Sequence, residues 1–292
     1  MGIDSLFSRE LADGDPIALM ARETVAHEAA LPAEVGGDPF PEGGWRFGPD
    51  WFALGVPGLR FFYMQGEGVV WQCLDEAFRP DAPLYLSGSV YAGIASLWGL
   101  LPLHVSAVLH EGRVHAFGGP AGAGKSTLVA ALADKGFPVV ADDTLLLVLS
   151  ESGPLHCLPG HKRLKLSRDA FSLVFAAREE VADEERDKFY AVPAQMAPEG
   201  LYPLTSITLL EAGPQPHLAR LGSGQRLARL RDDHYTTQMF DQAQQMTPER
   251  RFALQARLAR NVDMAVLTRP IDPQLFPTTV AMASDYIRTG RA

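Results

Sequence analysis

The residues best suited to chemistry lie between Gly119 and Asp143. The run Gly119-Pro-Ala-Gly-Ala-Gly-Lys125-Ser126 matches the pattern G-x-x-x-x-G-K-[ST] in full. In such a loop the glycines let backbone N–H groups point at phosphate oxygens, the lysine reaches the β- and γ-phosphates, and the hydroxyl binds Mg²⁺. One predicted helix and one predicted strand later, Asp142 and Asp143 add two carboxylates. This combination predicts phosphate chemistry on a nucleotide.

The sequence on either side of the loop supports that prediction. An apolar strand is expected to end at Phe117 or Gly118, and a helix is expected to begin near Lys125. The positive end of that helix's dipole would add to the attraction for an anion. The predicted nucleotide contacts are Gly119, Ala121, Gly122, Ala123, Gly124, Lys125, Ser126 and Thr127.

The adjacent aspartates could divide two tasks between them. They follow the short apolar run "FPVVA", and a carboxylate at a strand end beside a phosphate loop is well placed to bind Mg²⁺. Successive strand residues point to opposite faces, so either the strand ends between the two or one of them faces elsewhere. The sequence leaves the order of roles open. Our prediction takes Asp142 as the base that accepts a hydroxyl proton, and Asp143 with Ser126 as the metal ligands.

Composition limits the classes of partner and compartment. The chain has 292 residues, 47% of them hydrophobic, so it is long enough for one large or two unequal globular domains. Its formal charge of −9 disfavours general binding to DNA or to anionic membranes, and we expect neither as a partner. Its two cysteines cannot build a disulfide framework, and the N-terminus does not resemble a secretory signal. We therefore expect a cytoplasmic protein.

Periodicity and turn residues divide the chain near residue 80. Residues 1–80 are predicted to form a small β-containing domain or cap, with a helix within the first 30 residues and then short strands in hairpins. Residues 81–292 form the second predicted domain, which contains the loop. The uncharged stretch 82–110 is long enough to span a bilayer, but its prolines, glycines and His104 favour a buried helix followed by a buried strand. Further predicted strands are "LHVSAVLH", "RVHAFGG", "FPVVA", "TLLLVL", "SITLLE" and "MAVLT", and the predicted helices are 125–135, most of 226–261, and 272–288.

The segment "LHVSAVLHEGRVHAFGGPAGAGKSTLVAALADKGFPVVADDTL" resembles the core of the HPr kinase/phosphorylase family, whose members phosphorylate serine. A His-containing strand, a hairpin, a Walker A loop, one helix and a strand ending in Ala-Asp-Asp follow in that order. The resemblance implies an α/β fold with a P-loop core of the HPr kinase and phosphoenolpyruvate carboxykinase type, using ATP and Mg²⁺. It also implies that His104 lies beside the transferred phosphate, although a lone histidine on an apolar strand is more often a core residue. Asp142 and Asp143 would supply the base and metal functions.

A looser match extends this resemblance over residues 85–290. The runs "LPGHKRLKLSRDAF", "RDKFY", "LYPLTSITLLEAG" and "NVDMAVLTRP" look like HPr-kinase-like proteins, including lasso-peptide kinases. Alternation places Arg163, Lys165 and Ser167 on one strand face, where the basic groups could clamp phosphate or an acidic peptide. The alternative for that face is a solvated strand edge. The resemblance makes Lys188 a further phosphate-contact candidate.

Together these features predict an ATP- and Mg²⁺-dependent kinase that transfers the γ-phosphate to a serine hydroxyl. The acceptor would be a peptide or small protein, including a ribosomally made peptide. The predicted catalytic residues are His104, Lys125, Asp142 and Asp143. A kinase for a small hydroxyl metabolite and a nucleotide-binding adaptor without phosphotransfer stay open as alternatives. Because that family often forms oligomers, the resemblance also implies a homo-oligomer.

Overall fold

The described residues form a mixed α/β structure with several sheets. A computed structural model describes residues 15–149, 154–160, 162–175, 177–183, 187–230 and 235–291. Contacts divide the chain into two compact units. Unit 1 comprises Met1–Pro102 and Asp233–Arg251, and unit 2 comprises Leu103–Asp232 and Phe252–Ala292. Unit 1 thus runs past residue 80, where the sequence alone placed the end of the first domain.

The helices and strands are numbered in chain order. The helices are α1 (Pro16–Glu23), α2 (Ala82–Tyr85), α3 (Tyr91–Leu97), α4 (Lys125–Ala133), α5 (Ser223–Arg229), α6 (Tyr235–Ala243), α7 (Pro248–Asn261) and α8 (Phe276–Thr289). The first ten strands are β1 (Ala26–Glu28), β2 (Glu34–Val35), β3 (Asp38–Pro39), β4 (Gly44–Phe47), β5 (Trp51–Val56), β6 (Leu59–Met64), β7 (Gly68–Cys73), β8 (Leu101–Leu103), β9 (Ser106–His110) and β10 (Arg113–Gly118). The others are β11 (Val139–Ala141), β12 (Leu145–Val148), β13 (His156–Leu158), β14 (Leu164–Ser167), β15 (Ala177–Asp183), β16 (Lys188–Val192), β17 (Tyr202–Ala212), β18 (His217–Arg220) and β19 (Asp263–Arg269).

Unit 1 contains a five-stranded sheet in the order β1-β7-β6-β5-β4. Strands β4 to β7 follow one another in antiparallel pairs, which confirms the hairpins predicted from the short aromatic runs. Alternate residues of β6 are fully buried, among them Phe61 and Tyr63, as expected for a strand with one face on a core. Helix α1 lies within the predicted N-terminal helix, and residues 1–14 of that prediction lie outside the described residues.

The part of the uncharged stretch that lies in unit 1 forms the short helices α2 and α3. Helix α3 is buried along most of its length, which confirms the helix predicted there. A side chain at Gly93 would lie 2.6 Å from the Phe52 ring, so glycine permits the close approach of α3 to β5. Within the described part of the chain, no helix has both the length and the apolar character needed to cross a bilayer.

The main sheet of unit 2 positions the glycine-rich loop. Its strands follow the order β11-β9-β10-β17-β13-β12, and β19 pairs with both β17 and β18. The predicted hairpin of β9 and β10 is present, and β17 lies parallel to both β10 and β19. The carboxyl ends of these three parallel strands therefore share one edge, called the loop edge here. Their amino ends share the opposite edge, called the far edge.

A smaller sheet of unit 2, in the order β14-β16-β15, carries the basic run. Leu164 and Leu166 are fully buried, while Lys165 between them is only partly buried. This burial pattern confirms the alternation expected for "HKRLKLSR". Antiparallel pairing with β16 places Lys165 opposite Tyr190 and Ser167 opposite Lys188.

Helix α4 forms the centre of the core of unit 2. Its residues from Leu128 to Ala133 are all buried, which explains why its sequence is apolar all round rather than amphipathic. The helix stops before Gly136, whose φ of 93° lies in the left-handed region that favours glycine. Other buried members of this core include Phe117, Val139, Leu164, Leu166, Leu210, Leu267, Val280 and Tyr286.

A buried histidine links two of the parallel strands. His115 of β10 is 6% exposed, and its Nδ1 lies 2.9 Å from the Ser206 hydroxyl of β17. Burial, together with the neighbouring His110 and Arg113, lowers the pKa of His115 to about 4. The imidazole is therefore neutral in the fold at pH 7.

This histidine predicts a pH dependence of stability. An unfolded histidine has a pKa of about 6.5, so between pH 6.5 and pH 4 the unfolded chain binds the extra proton and the folded chain does not. The contribution of His115 is complete above that window and is lost as the pH falls through it. From pH 7 to pH 5 we expect the wild type to lose about 2 kcal/mol more unfolding free energy than His115→Gln. Urea denaturation at both pH values measures this difference, and equal losses in the two proteins would contradict it.

Candidate functional site

The glycine-rich loop, residues 119–124, joins β10 to α4 at the loop edge. Gly119, Gly122 and Gly124 have φ values of 139°, 80° and 87°, which L-residues rarely adopt. A Cβ at Gly119 would lie 2.9 Å from the Leu210 carbonyl oxygen, and one at Gly124 would lie 2.6 Å from a guanidinium nitrogen of Arg269. The path of the loop therefore depends on glycine at these positions.

Lys125 is the first residue of α4 and is 7% exposed. Its ammonium donates to the carbonyl oxygens of Gly119 at 2.9 Å and Pro120 at 3.3 Å. The lysine thus folds back over its own loop. These carbonyls are neutral acceptors, so phosphate oxygens would be stronger partners for the ammonium.

Asp142 is 3% exposed and accepts three hydrogen bonds. Its Oδ1 accepts from the Ser106 hydroxyl at 2.5 Å and from the Ser126 hydroxyl at 2.9 Å, and its Oδ2 accepts from the Lys165 backbone N–H at 3.0 Å. Burial raises the pKa of Asp142, while these hydrogen bonds act in the opposite direction by favouring the ionised form. A buried carboxylate is thereby held directly against the loop serine.

Asp143 has different surroundings. Strand β11 ends at Ala141, and Asp143 takes a left-handed φ of 76°, so the chain turns at the second aspartate. Its side chain is 32% exposed, with Oδ1 3.3 Å from His104 Nδ1 and Oδ2 3.6 Å from Lys165 Nζ. The same histidine nitrogen lies 3.0 Å from the Asp143 carbonyl oxygen. This carboxylate is accessible and is flanked by two basic groups.

These contacts bring five of the predicted residues into one cluster, namely His104, Ser126, Asp142, Asp143 and Lys165. Ser126 touches Asp142, the backbone of Lys165 touches Asp142, and the side chain of Lys165 reaches Asp143 beside His104.

The other two basic candidates have different neighbours. The guanidinium of Arg163 lies 4.2 Å from the centre of the Tyr190 ring. Lys188 pairs in register with Ser167, and no contact between described residues joins its ammonium to the loop or to the aspartates.

Sequence reasoning missed two residues of the cluster, Ser106 and Arg269. Ser106 begins β9 and donates to Asp142. Arg269 ends β19, and its Nε donates to the Ala123 carbonyl oxygen at 2.6 Å. Burial lowers the pKa of Arg269, and no carboxylate among the described residues forms an ion pair with it. The sequence signal that could have identified Arg269 is its position directly after the apolar run "MAVLT", because a basic residue at the end of that strand lies at the loop edge.

The oxygen and nitrogen atoms of the cluster can be compared with the ligands that a metal ion requires. Among the described residues, no group of three or more His, Cys, Asp and Glu side chains could hold a metal by itself. Mg²⁺ is usually bound by one or two carboxylates, with substrate phosphates and water completing its shell. Asp142 beside the Ser126 hydroxyl supplies oxygen donors of that kind.

Comparison with known proteins gives a distant likeness in structure and none in sequence. No family model matches the chain, and no curated protein matches its sequence. Among solved structures, it is similar to the HPr(Ser) kinase/phosphatase from Coxiella burnetii, with 11% identity, a TM-score of 0.33, and coverage of 65% of this chain and 99% of that chain. A likeness at this level assigns the chain to no family.

Proposed function

We propose that this chain is an ATP- and Mg²⁺-dependent kinase that transfers the γ-phosphate to a hydroxyl group. The acceptor we propose is a serine of a peptide or small protein, with a ribosomally made peptide as one candidate. One observation carries the proposal: a complete G-x-x-x-x-G-K-S loop has its Ser126 hydroxyl 2.9 Å from the buried Asp142, while the accessible Asp143 follows directly. Loop, metal ligands and base are the parts that phosphoryl transfer needs.

For the metal we propose Ser126 and Asp142 as the ligands. This reverses the roles predicted from sequence, where Asp143 shared the metal with Ser126. The reversal is supported by the direct hydrogen bond between the Ser126 hydroxyl and Asp142, and by the partly exposed position of Asp143. When bound, Mg²⁺ neutralises the charge that develops on the phosphate oxygens.

For the base we propose Asp143. Its carboxylate would accept the proton of the attacking hydroxyl, whose oxygen forms a bond to the γ-phosphorus. The bond from that phosphorus to the β–γ bridging oxygen breaks, and ADP leaves with that oxygen. His104 and Lys165, at 3.3 Å and 3.6 Å from the two carboxylate oxygens, would hold Asp143 in place. Because the transition state of such transfers is loose, positioning and charge stabilisation supply most of the rate.

For the phosphates we propose Lys125 and Arg269 as the fixed positive charges. The Lys125 ammonium would exchange its loop carbonyls for β- and γ-phosphate oxygens. The Arg269 guanidinium already contacts the loop through Nε, and it has nitrogens left to donate to a phosphate. Its lack of a carboxylate partner among the described residues fits a group that pairs with a bound anion.

Arg269→Gln is therefore expected to lower kcat/KM for ATP by about 10- to 100-fold. If Arg269 had a purely structural role, the substitution would lower the stability of the fold without raising the KM for ATP. The free energy of unfolding and the KM for ATP are therefore both measured. Arg168→Gln is the matched control, because Arg168 forms an exposed ion pair with Asp187 outside the cluster. Unchanged kinetics in Arg269→Gln would remove Arg269 from the proposed site.

The decisive experiment is mass spectrometry of serine-containing peptides and small proteins after incubation with the chain and Mg·ATP. Phosphate on one class of acceptor, absent with Asp143→Asn, supports the proposal and identifies the substrate. ATP binding with no phosphorylated peptide would contradict the peptide acceptor. A phosphorylated metabolite would then indicate the small-molecule kinase, and no product of either kind would indicate the adaptor.

A further inference from the structure

Two adjoining cavities lie at the far edge of the main sheet of unit 2. Their volumes are about 470 Å³ and about 310 Å³, and both are lined by Arg113, Thr205 and Asp263. These residues stand at or near the amino ends of β10, β17 and β19. The glycine-rich loop follows the opposite end of β10, so the cavities are separate from the site described above.

The cavities are lined by cations without acidic partners. Arg113 and Arg260 line the larger cavity, and Arg113 and Arg288 line the smaller one. None of these three has a carboxylate ion-pair partner among the described residues, whereas the nearby Asp263 is already paired. The partners of Asp263 are Arg220 at 3.1 Å and Arg226 at 2.8 Å. The lining of the two cavities holds four arginines against two acidic residues, Glu111 and Asp263, so it carries a net positive charge on a chain of net charge −9.

A buried hydroxyl in the smaller cavity also lacks a partner. Tyr286 of α8 is 4% exposed and lines that cavity. Its hydroxyl forms no hydrogen bond within the described part of the chain. A buried polar group in this condition is costly and rare in folded proteins, and a ligand oxygen would satisfy it. Burial also raises the pKa of Tyr286, so the hydroxyl keeps its proton and can donate it to an anion.

We propose that these cavities form a second anion site, which binds a phosphoryl dianion as free phosphate or as the monoester of a small molecule. Guanidinium groups match phosphate oxygens with paired N–H donors. The three arginines without a carboxylate partner supply more positive charge than a ligand carboxylate would need, although Arg288 also lies 5.0 Å from the centre of the Phe137 ring. The Tyr286 hydroxyl adds a neutral donor, and the larger cavity has room for the organic part of a monoester.

Isothermal titration of the full chain with sodium phosphate, and separately with phenyl phosphate, tests the site. Arg113 and Arg260 are exposed, so Arg113→Gln and Arg260→Gln are expected to fold, and each should weaken binding about tenfold. Arg229→Gln is the matched control with unchanged affinity, because Arg229 lines neither cavity and pairs with Glu211. Tighter binding of phenyl phosphate than of phosphate would identify a monoester as the ligand, and the reverse would identify the free ion.

Two further variants separate this site from the loop and from a structural role. Binding that persists in Lys125→Ala and weakens about tenfold in Arg113→Gln supports the proposal, whereas complete loss in Lys125→Ala would assign all binding to the loop and overturn it. Tyr286→Phe should weaken phosphate binding about fivefold without lowering the melting temperature of the ligand-free chain. Affinity unchanged in Tyr286→Phe, or unchanged in both arginine variants, would also overturn the proposal.

Discussion

Lys125→Ala is expected to lower phosphate transfer by about 10³-fold or more while the chain stays folded. The Lys125 ammonium lies within the loop, hydrogen-bonded to Gly119 and Pro120, where the proposed β- and γ-phosphates would bind. Alanine leaves no charge there to stabilise the transition state. A stopped assay with radiolabelled ATP measures the rate, and equilibrium binding of ATP measures the accompanying loss of affinity.

The fold should tolerate this change. Lys125 begins α4, and alanine is the residue most favourable to helix formation. The two loop carbonyls that lose their donor belong to residues that are only partly buried or exposed, so water can replace it. Lys135→Ala is the matched control, because Lys135 is exposed just beyond the other end of the same helix. Normal transfer by Lys125→Ala would contradict the assigned role.

The loop and its neighbouring elements could be predicted because their signals are local. The glycine spacing, the apolar strand before it and the helix after it all fall within 113–133, and the structure has them there. The hairpin of β9 and β10 was likewise marked by Glu111 and Gly112 between two alternating runs. Such signals depend only on residues close together in the chain, so they can be recognised without knowing the tertiary structure.

The contacts of Arg269 and Lys165 could not be predicted, because they depend on strand order. Arg269 reaches Ala123 across 146 residues only because β17 lies between β10 and β19 in the sheet. Lys165 reaches both aspartates only because β14 returns to the end of β11. Neither arrangement follows from periodicity, which fixes the face of a strand but not its neighbours.

Which of the two aspartates is buried and which is exposed also could not be predicted from the sequence. Adjacent residues of one type carry no sequence signal for which is buried. The left-handed φ of Asp143 separates them, and Asp is among the few residues other than glycine that adopt this conformation with any frequency. That turn leaves Asp142 buried against Ser126 and Asp143 partly exposed, and on this difference we propose Asp142 as the metal ligand and Asp143 as the base.

Asp143→Asn is expected to lower kcat by about 10³-fold with little change in nucleotide affinity. An amide cannot take the proton of the attacking hydroxyl. Asparagine also tolerates the φ of 76° at this position, so the backbone should not change. Steady-state kinetics with the acceptor, together with equilibrium binding of ATP, measures both quantities.

Asp142→Asn should give a different result, the loss of the Mg²⁺ dependence of nucleotide binding. The fold has room for asparagine here: its carbonyl oxygen can accept from the Lys165 N–H, and its amide can donate to the hydroxyls of Ser106 and Ser126. Titration of ATP affinity against Mg²⁺ should therefore give a steep curve for the wild type and Asp143→Asn, and a flat one for Asp142→Asn. The opposite pattern, with the flat curve in Asp143→Asn, would restore the assignment of Asp142 as the base. Because the two variants make the same chemical change at adjacent positions, each is the control for the other.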